Sequence, residues 1–368
     1  MKKVKLTDIC TPRQWKTIPT DQLLDKGYPV YGANGLIGYL DEYNHENSVV
    51  TITCRGATCG SVNRTCPKAY ITGNAMCLDD VSENISIDYL YYCMKNYDFT
   101  SVISGSAQPQ ITRQGLEGVQ IKICTEGEQE KIVNNLEKLE KIILFRKRQL
   151  NTLDLLIKAR FVEIFGDTAL NPFELRSVAL EGIADIVSGI TKGRKTKEQN
   201  LIEVPYMAVS NVKNGYIDWT TVKTIQATDT EIKQYRLLPD DVLMTEGGDP
   251  DKVGRGAIIR KPLENCIHQN HIFRVRLNEG ILLPTYFAEY LQHPKAKQYF
   301  LGCAKQTTGI ASINMSQLRK LPVLVPPIDK QSDFDLFVEQ VGKSKVLIQK
   351  SLDENQILFD SLMQKYFG

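Results

Sequence analysis

Gln110-Ile111-Thr112, then Val119-Gln120-Ile121-Lys122-Ile123, then a long charged stretch ending Ile164-Phe165-Gly166, returns 202 residues later. The second copy reads Ser312-Ile313-Asn314, Leu321-Pro322-Val323-Leu324-Val325 and a stretch ending Tyr366-Phe367-Gly368. Upstream the offset is 174, where Val4, Leu6 and Ile9 are answered by Val178, Leu180 and Ile183. A chain duplicated in this way folds as two like units, and the second copy carries about 28 extra residues in its front part.

Each copy has a strand-rich front part and then one long helix. Strand-like runs at Ser48–Thr53, Val119–Ile123, Val204–Val209, Asp241–Met244, Ala257–Ile259 and Ile272–Leu277 are separated by turns rich in Gly, Asn and Pro. Short helices fit Ile87–Met94 and Thr285–Gln292. From Glu128 to Phe165, apolar residues fall at Ile132, Leu136, Leu139, Ile143, Leu150, Leu153, Ile157 and Ile164, with Arg146 in the one missing seam position. The second helix repeats the seam at Phe334, Val338, Val341, Ile348, Leu352, Phe359, Leu362 and Tyr366, with polar breaks at Lys345 and Asn355. Each rod is about 38 residues, roughly 57 Å. Two matching seams in one chain bury each other best as an antiparallel pair; separate packing of each rod, or homodimerisation, is the alternative. The expected fold is α+β: two globular domains at 1–125 and 167–326, each followed by a long helix at 126–166 and 327–368, a stiff spacer between similar sites.

Composition narrows the class. With 42% hydrophobic and 24% charged residues the chain is globular, and a formal net charge of +2 denies nucleic-acid binding by bulk charge, so any DNA-facing cations must be segregated on one face. No apolar run reaches a membrane span and Met1–Asp8 has no signal-peptide core, so a cytoplasmic protein is expected. Nine scattered cysteines read as reduced thiols. Cys54, Cys59, Cys66 and Cys77 raise a zinc question, but with no CxxC pair and no histidine among them buried thiols are the expectation and no metal site is assigned.

In its order of parts the sequence resembles the specificity subunits of type I restriction-modification systems, over essentially the whole chain. The resemblance rests on Tyr28–Gly38, Arg55-Gly56-Ala57-Thr58-Cys59-Gly60, Thr72-Gly73-Asn74-Ala75-Met76 and above all Ser104–Ile111, followed by a β segment and Gly127-Glu128-Gln129-Glu130-Lys131-Ile132. That signature recurs as Gln306–Ile313 and Pro326-Pro327-Ile328-Asp329-Lys330-Gln331. The first copy departs from the pattern at Ile123-Cys124-Thr125-Glu126, where a proline-rich entry to the helix is usual. The resemblance implies two target-recognition domains on an antiparallel coiled coil, binding double-stranded DNA and two methyltransferase subunits. Those subunits would supply S-adenosylmethionine and adenine-N6 chemistry, and restriction-motor subunits would join an assembly that also cleaves.

Arg suits guanine and Asn or Gln suits adenine, so the loops of the first domain offer Tyr31, Asn34, Arg55, Thr58, Asn74, Ser106 and Gln108. Asn34 and Asn74 serve equally as turn formers beside glycine. The second domain offers Lys192, Arg194 and Lys195 on a cationic loop that also fits a merely solvated one, Asn211 and Lys213, Asp249 and Arg255, Asn270 and Gln306. Glu246 or Asp249 could accept from cytosine or simply shape a turn, and His271 reads as structural. The two surfaces differ in almost every reading residue, so the expected target is asymmetric and bipartite with a fixed gap.

Catalytic equipment is missing from the sequence. Gly254-Arg255-Gly256 lacks the third glycine of a dinucleotide fingerprint, no GxxxxGK[ST] loop occurs, and Asn171-Pro172-Phe173 falls one proline short of an adenine-methyltransferase motif, reading better as a helix-stopping turn. The rival to a DNA-reading subunit is a non-catalytic coiled-coil scaffold with two protein-binding globules.

Overall fold

The structure, a computed structural model, describes residues 1–33, 35–105, 108–194, 200–248, 253–307 and 310–368. It divides into two compact units, residues 1–148 with 348–368, and residues 149–347. Both rods are single helices, Glu126–Phe165 and Ile328–Phe367, and each contributes a part to each unit.

The duplication is visible strand for strand. In the first unit a four-stranded sheet runs Thr11–Gln14, Ala75–Asp79, Val50–Thr53, Val62–Arg64, and in the second Ala184–Ser188, Ile272–Leu277, Asp241–Thr245, Gly256–Ile259. Three-stranded sheets match likewise: Gly35–Leu40, Tyr28–Gly32, Tyr70–Ile71 against Lys223–Ala227, Ile202–Met207, Ile267–His268. A two-stranded ladder closes each unit at the foot of a rod. Val4 faces Ile121 in one and Val178 faces Val323 in the other, so the offsets of 174 and 202 read from the sequence meet in one register. Opposed residues in both copies are apolar and share a face, which is why the pattern survives where the intervening sequence does not.

The extra residues of the second copy lie in several places. The hairpin in which Gly32 faces Gly35 is replaced by the long link 208–222, and helices Asp229–Tyr235 and Pro294–Cys303 are added. Neither helix was read from the sequence, because both are short and their apolar periodicity is too brief to stand out. Two other short helices explain the signature that marks the repeat. Thr112 Oγ1 accepts from the Gly115 amide at 3.1 Å and Asn314 Oδ1 from the Gln317 amide at 2.9 Å, so both signature residues are helix N-caps.

The rods start from buried glutamines that the sequence pattern conceals. Gln129 Oε1 accepts from the Ser86 amide (2.9 Å) and its Nε2 donates to the Asn84 and Cys124 carbonyls (2.9 and 3.0 Å). Gln331 repeats the set with the Leu283 amide (2.7 Å) and the Ile281 and Pro326 carbonyls (3.0 and 2.8 Å). Both side chains are fully buried, and every polar atom has a partner. Gln331→Glu keeps the shape but turns a carboxylate oxygen toward two carbonyls. It is expected to cost about 2 kcal/mol in urea unfolding, where Gln331→Glu with no shift in midpoint would remove the staple. The first rod begins at Glu126, where Thr125 and Glu128 cap it: Thr125 N and Oγ1 donate to Glu128 Oε2 at 3.1 and 3.0 Å. This cap takes the place of the proline-rich entry.

Within the second unit the rods run antiparallel. Lys345 meets Asp154 at 2.6 Å, the Arg160 guanidinium lies over Phe337, and Phe161 packs on Phe334. In the first unit Glu140, Ile143, Leu144 and Lys147 line a groove with Phe359, Asp360 and Met363. The seam differs from the heptad reading at one end. Phe161, absent from the expected seam, is fully buried, while Leu150, Leu153, Ile157 and Ile164 are half-buried. A straight helix drifts about 20° per heptad, so by its last turns the first rod presents a different stripe. The rod then stops at Gly166, whose φ of +76° is left-handed and beside whose α-carbon Pro172 leaves no room for a side chain. Asn171 holds the following turn through bonds of 3.0 and 2.9 Å with Leu175, so Asn171-Pro172-Phe173 is structural.

Candidate nucleic-acid interface

In the first unit three loops and a turn are tied together at one end of the sheets by main-chain bonds. The Cys54 amide donates to Asn74 O (3.2 Å), Ile111 N to Cys54 O (3.0 Å) and Gly56 N to Pro109 O (3.2 Å). Thr53 Oγ1 and Thr58 Oγ1 both donate to Ala33 O, at 2.5 and 3.4 Å. Arg55, Thr58, Asn74 and Gln108 are therefore brought to one place, with Arg55 and Gln108 exposed. The second unit repeats the scaffold with other side chains: Glu246 N donates to His271 O (3.0 Å) and Ile313 N to Glu246 O (2.9 Å). Strand register equates Thr53 with Thr245 and Ala75 with Ile272, hence Asn74 with His271 and Cys54 with Glu246. The exposed His271 has Nδ1 2.6 Å from Oε2 of the half-buried Glu246, a pair that gives this surface a chemistry unlike the first.

Several expected reading residues have other work. Asn211 is wholly buried: its Oδ1 accepts from the Ala208 amide at 2.9 Å and its Nδ2 donates to Asp218 O at 2.9 Å, so it holds the long link in shape and faces no solvent. Arg194 lies back on Glu231 in a two-pronged ion pair and donates to Gln226 O at 3.0 Å. Hydrogen bonding to Arg194 outweighs burial and holds the Glu231 carboxyl below its ordinary range. The Tyr31 hydroxyl accepts from the Cys66 amide at 3.3 Å. Lys213 is 3.8 Å from Asp218 and half-buried. Lys192 is exposed, while Arg255 and Asn270 are half-buried. Asn34, Ser106, Lys195 and Asp249 lie outside the described residues, as does the side chain of Gln306.

The sequence reading passed over Thr11-Pro12-Arg13-Gln14-Trp15. Pro12, Arg13, Gln14 and Trp15 line a depression of about 370 Å³ with Met76 and Arg113, and Gln14 Nε2 donates to Gly73 O at 2.9 Å, beside Asn74. Two guanidinium groups, an amide and an exposed indole adjoin the loop cluster there. No short motif could have revealed this, because Arg113 comes from far along the chain; the Arg-Gln-Trp run was the only signal. Arg276, near the far end of strand Ile272–Leu277 from His271, is likewise missed but is structural: it grips the buried Asp241 carboxylate with two bonds of 2.7 and 2.8 Å. His268 is an internal strut between the Tyr235 and Val187 carbonyls at 3.0 and 3.2 Å, and burial pushes its pKa down to about 4.

Such a molecule is a duplicated frame with two dissimilar loop-built surfaces. Residues 1–155 and 172–357 match the type I restriction modification DNA specificity domain, and the chain belongs to that family. A relative from Methanocaldococcus jannaschii, named as the specificity subunit of type I restriction enzyme MjaX, is 27% identical over 178 residues, 46% of this chain and 42% of that one. The EcoKI specificity subunit of Escherichia coli K12 is 25% identical over 162 residues, 44% of this chain and 35% of that one. Both matches therefore span less than half of the relative's own length. The crystal structure of a type I S subunit from M. genitalium superposes with a TM-score of 0.63 over 100% of this chain and 96% of that one at 15% identity, a likeness of fold. A second structure, from work on assembly and conformational transition of the type I R-M system, gives 0.58 at 14% identity over 99% and 97%. Among the described residues no helix is long and apolar enough to cross a membrane.

Proposed function

We propose that this chain is the sequence-specific DNA-binding specificity subunit of a type I restriction-modification complex, reading an asymmetric bipartite target in double-stranded DNA. One observation carries the reading: the same main-chain bonds that hold Asn74 and Cys54 in one unit hold His271 and Glu246 in the other, so one frame displays two different faces. Exposed Arg55 fits guanine and Gln108 adenine, while Arg13, Arg113 and Lys192 supply phosphate contacts. Asn34, Thr58, Ser106, Lys195, Asp249, Arg255, Asn270 and Gln306 complete the surfaces in this reading.

The chain itself is non-catalytic and cytoplasmic in this account. S-adenosylmethionine and adenine chemistry belong to two methyltransferase subunits docked on the rods, and a restriction motor joins a complex that also cleaves. The rods' outer faces support docking: Phe145 and Ile357 in the first unit, and Leu155, Val346 and Leu347 in the second, are 59–70% exposed. Leu347→Glu is expected to lower copurification with the methyltransferase by about tenfold or more, which is about 1.4 kcal/mol, while stability stays within about 0.5 kcal/mol.

The test is co-expression with a cognate methyltransferase subunit in a methylation-free host, followed by genome sequencing for N6-methyladenine. The expected result is a split motif with a constant gap. Arg55→Ala combined with Gln108→Ala is expected to degrade one half-site and leave the other intact. A stable complex that methylates no motif would overturn the DNA-reading role, and so would affinity for duplex DNA that does not fall with salt.

A further inference from the structure

In the first unit the fold brings His45 to two residues of strand Ala75–Asp79. His45 Nε2 is 3.0 Å from Asp79 Oδ1 and 3.4 Å from Cys77 Sγ, and the three ligand atoms lie within 4.8 Å of one another. Cys77 and Asp79 are two apart on a strand and so share a face. All three side chains are at most 9% exposed.

The tautomer of His45 is fixed by its neighbour. Asn44 Oδ1 accepts from the Ile71 amide at 2.9 Å and Asn44 Nδ2 donates to Ile71 O at 3.0 Å, so the amide cannot be turned over. His45 Nδ1 is 2.6 Å from that same Oδ1 and must carry a hydrogen. A neutral imidazole then points the lone pair of Nε2 at a carboxylate oxygen 3.0 Å away, a repulsive contact unless a cation lies between them. The other carboxylate oxygen, Oδ2, is taken by Trp15 Nε1 at 3.0 Å. Arg13, on the adjacent strand, is paired with Asp80 at 2.8 Å.

The second unit carries fixed positive charge at the equivalent places. Register equates Cys77 with Arg274 and Asp79 with Arg276, and Arg276 neutralises Asp241 directly. The first unit has a thiol and a carboxylate at those two places and a lone pair aimed between them.

We propose that His45, Cys77 and Asp79 form a binding site for a divalent transition metal of the zinc class. The donor set of imidazole nitrogen, thiolate and carboxylate is one that zinc and cobalt take, and a divalent ion with one thiolate and one carboxylate is neutral overall, as a buried site requires. Tetrahedral bonds of about 2.0–2.3 Å place donor atoms about 3.4–3.6 Å apart, within a few tenths of the 3.0 and 3.4 Å found here. The Nδ1–H bond to Asn44 and the Trp15 bond to Asp79 are the outer contacts that orient such ligands. Binding forms a metal–sulfur bond and releases the Cys77 thiol proton to solvent, with no change of oxidation state. The metal would tie the loop at His45 to the strand that leads out of the Asn74 turn.

The test uses the full chain, stripped with a chelator under reducing conditions and titrated with Co²⁺ alone. The expected result is one tightly bound cobalt with a thiolate-to-cobalt charge-transfer band and release of one proton, reversed by Zn²⁺. Cys77→Ser is expected to abolish the band and His45→Asn to weaken binding by more than about 100-fold, beyond the usual loss from outer-shell changes. Absence of a stoichiometric band in the unaltered chain overturns the proposal and assigns the gap to a proton on His45. A band that persists in Cys77→Ser overturns it too, because the metal is then on other thiols. Circular dichroism of each variant separates lost binding from lost folding.

Discussion

Phe161→Ala is expected to destabilise the second unit by about 3–5 kcal/mol, enough to leave a marginal protein largely unfolded. The ring is fully buried and touches four others: Phe165 at 4.9 Å between centroids, Tyr286 at 5.2 Å, Phe334 at 5.5 Å and the His293 imidazole at 4.2 Å. It comes from the last turns of one rod, Phe334 from the first turns of the other, and Tyr286 from helix Pro284–Tyr290 of the globular part. The cavity would open where three elements meet. Urea titration is the measurement: a lower midpoint with an unchanged slope indicates cavity cost alone, and Phe161→Leu is expected to retain most of the stability. An alanine variant within 1 kcal/mol of the parent would mean, on the scale of surface substitutions, that the cluster is not a keystone.

Arg276→Met is the second large effect, again about 3–5 kcal/mol. Asp241 is 1% exposed, and once the guanidinium is gone its carboxylate keeps, among the described residues, one hydrogen bond, from the Leu238 amide at 2.7 Å. The cost comes from stranding a charge, so adding Asp241→Leu to Arg276→Met is expected to recover much of the loss. A double-mutant cycle by chemical denaturation checks this. A double variant as unstable as Arg276→Met alone would show that packing of the arginine stem, rather than the ion pair, is what matters.

The rods, the order of parts and the duplication were legible because they rest on periodicity, which survives sequence drift. Thr112 and Asn314 marked the repeat before it was clear that they cap helices. Other features required the fold. Gln129 and Gln331 looked like ordinary polar residues on a charged helix, since nothing local distinguishes a buried amide with three partners from a solvated one. Asn211 and Arg194 have the residue types of base and phosphate contacts, yet their partners, Ala208, Asp218 and Glu231, satisfy them internally. His45 is 32 residues from Cys77, too far for a ligand-spacing pattern, and antiparallel pairing brings them together. The loops at that end of each unit were legible as a cluster, but which side chains remain available there depends on hydrogen bonds that only coordinates display.

The membership of the first unit sets a timetable for making the protein. Tyr92 packs on Phe359 and Tyr89 on Phe367, so surface made early is covered by residues more than about 250 positions further along. About 200 residues separate Arg148 from Ile348, and at about 5–20 residues per second the ribosome needs about 10–40 s to deliver them. During that interval the part of the unit made first waits with an aromatic face open to solvent, whereas residues 149–347 emerge as one uninterrupted stretch. Completion of the earlier-born half is thus deferred until the second rod emerges, and a ribosome stalled in that rod would leave the first unit exposed to aggregation and proteolysis.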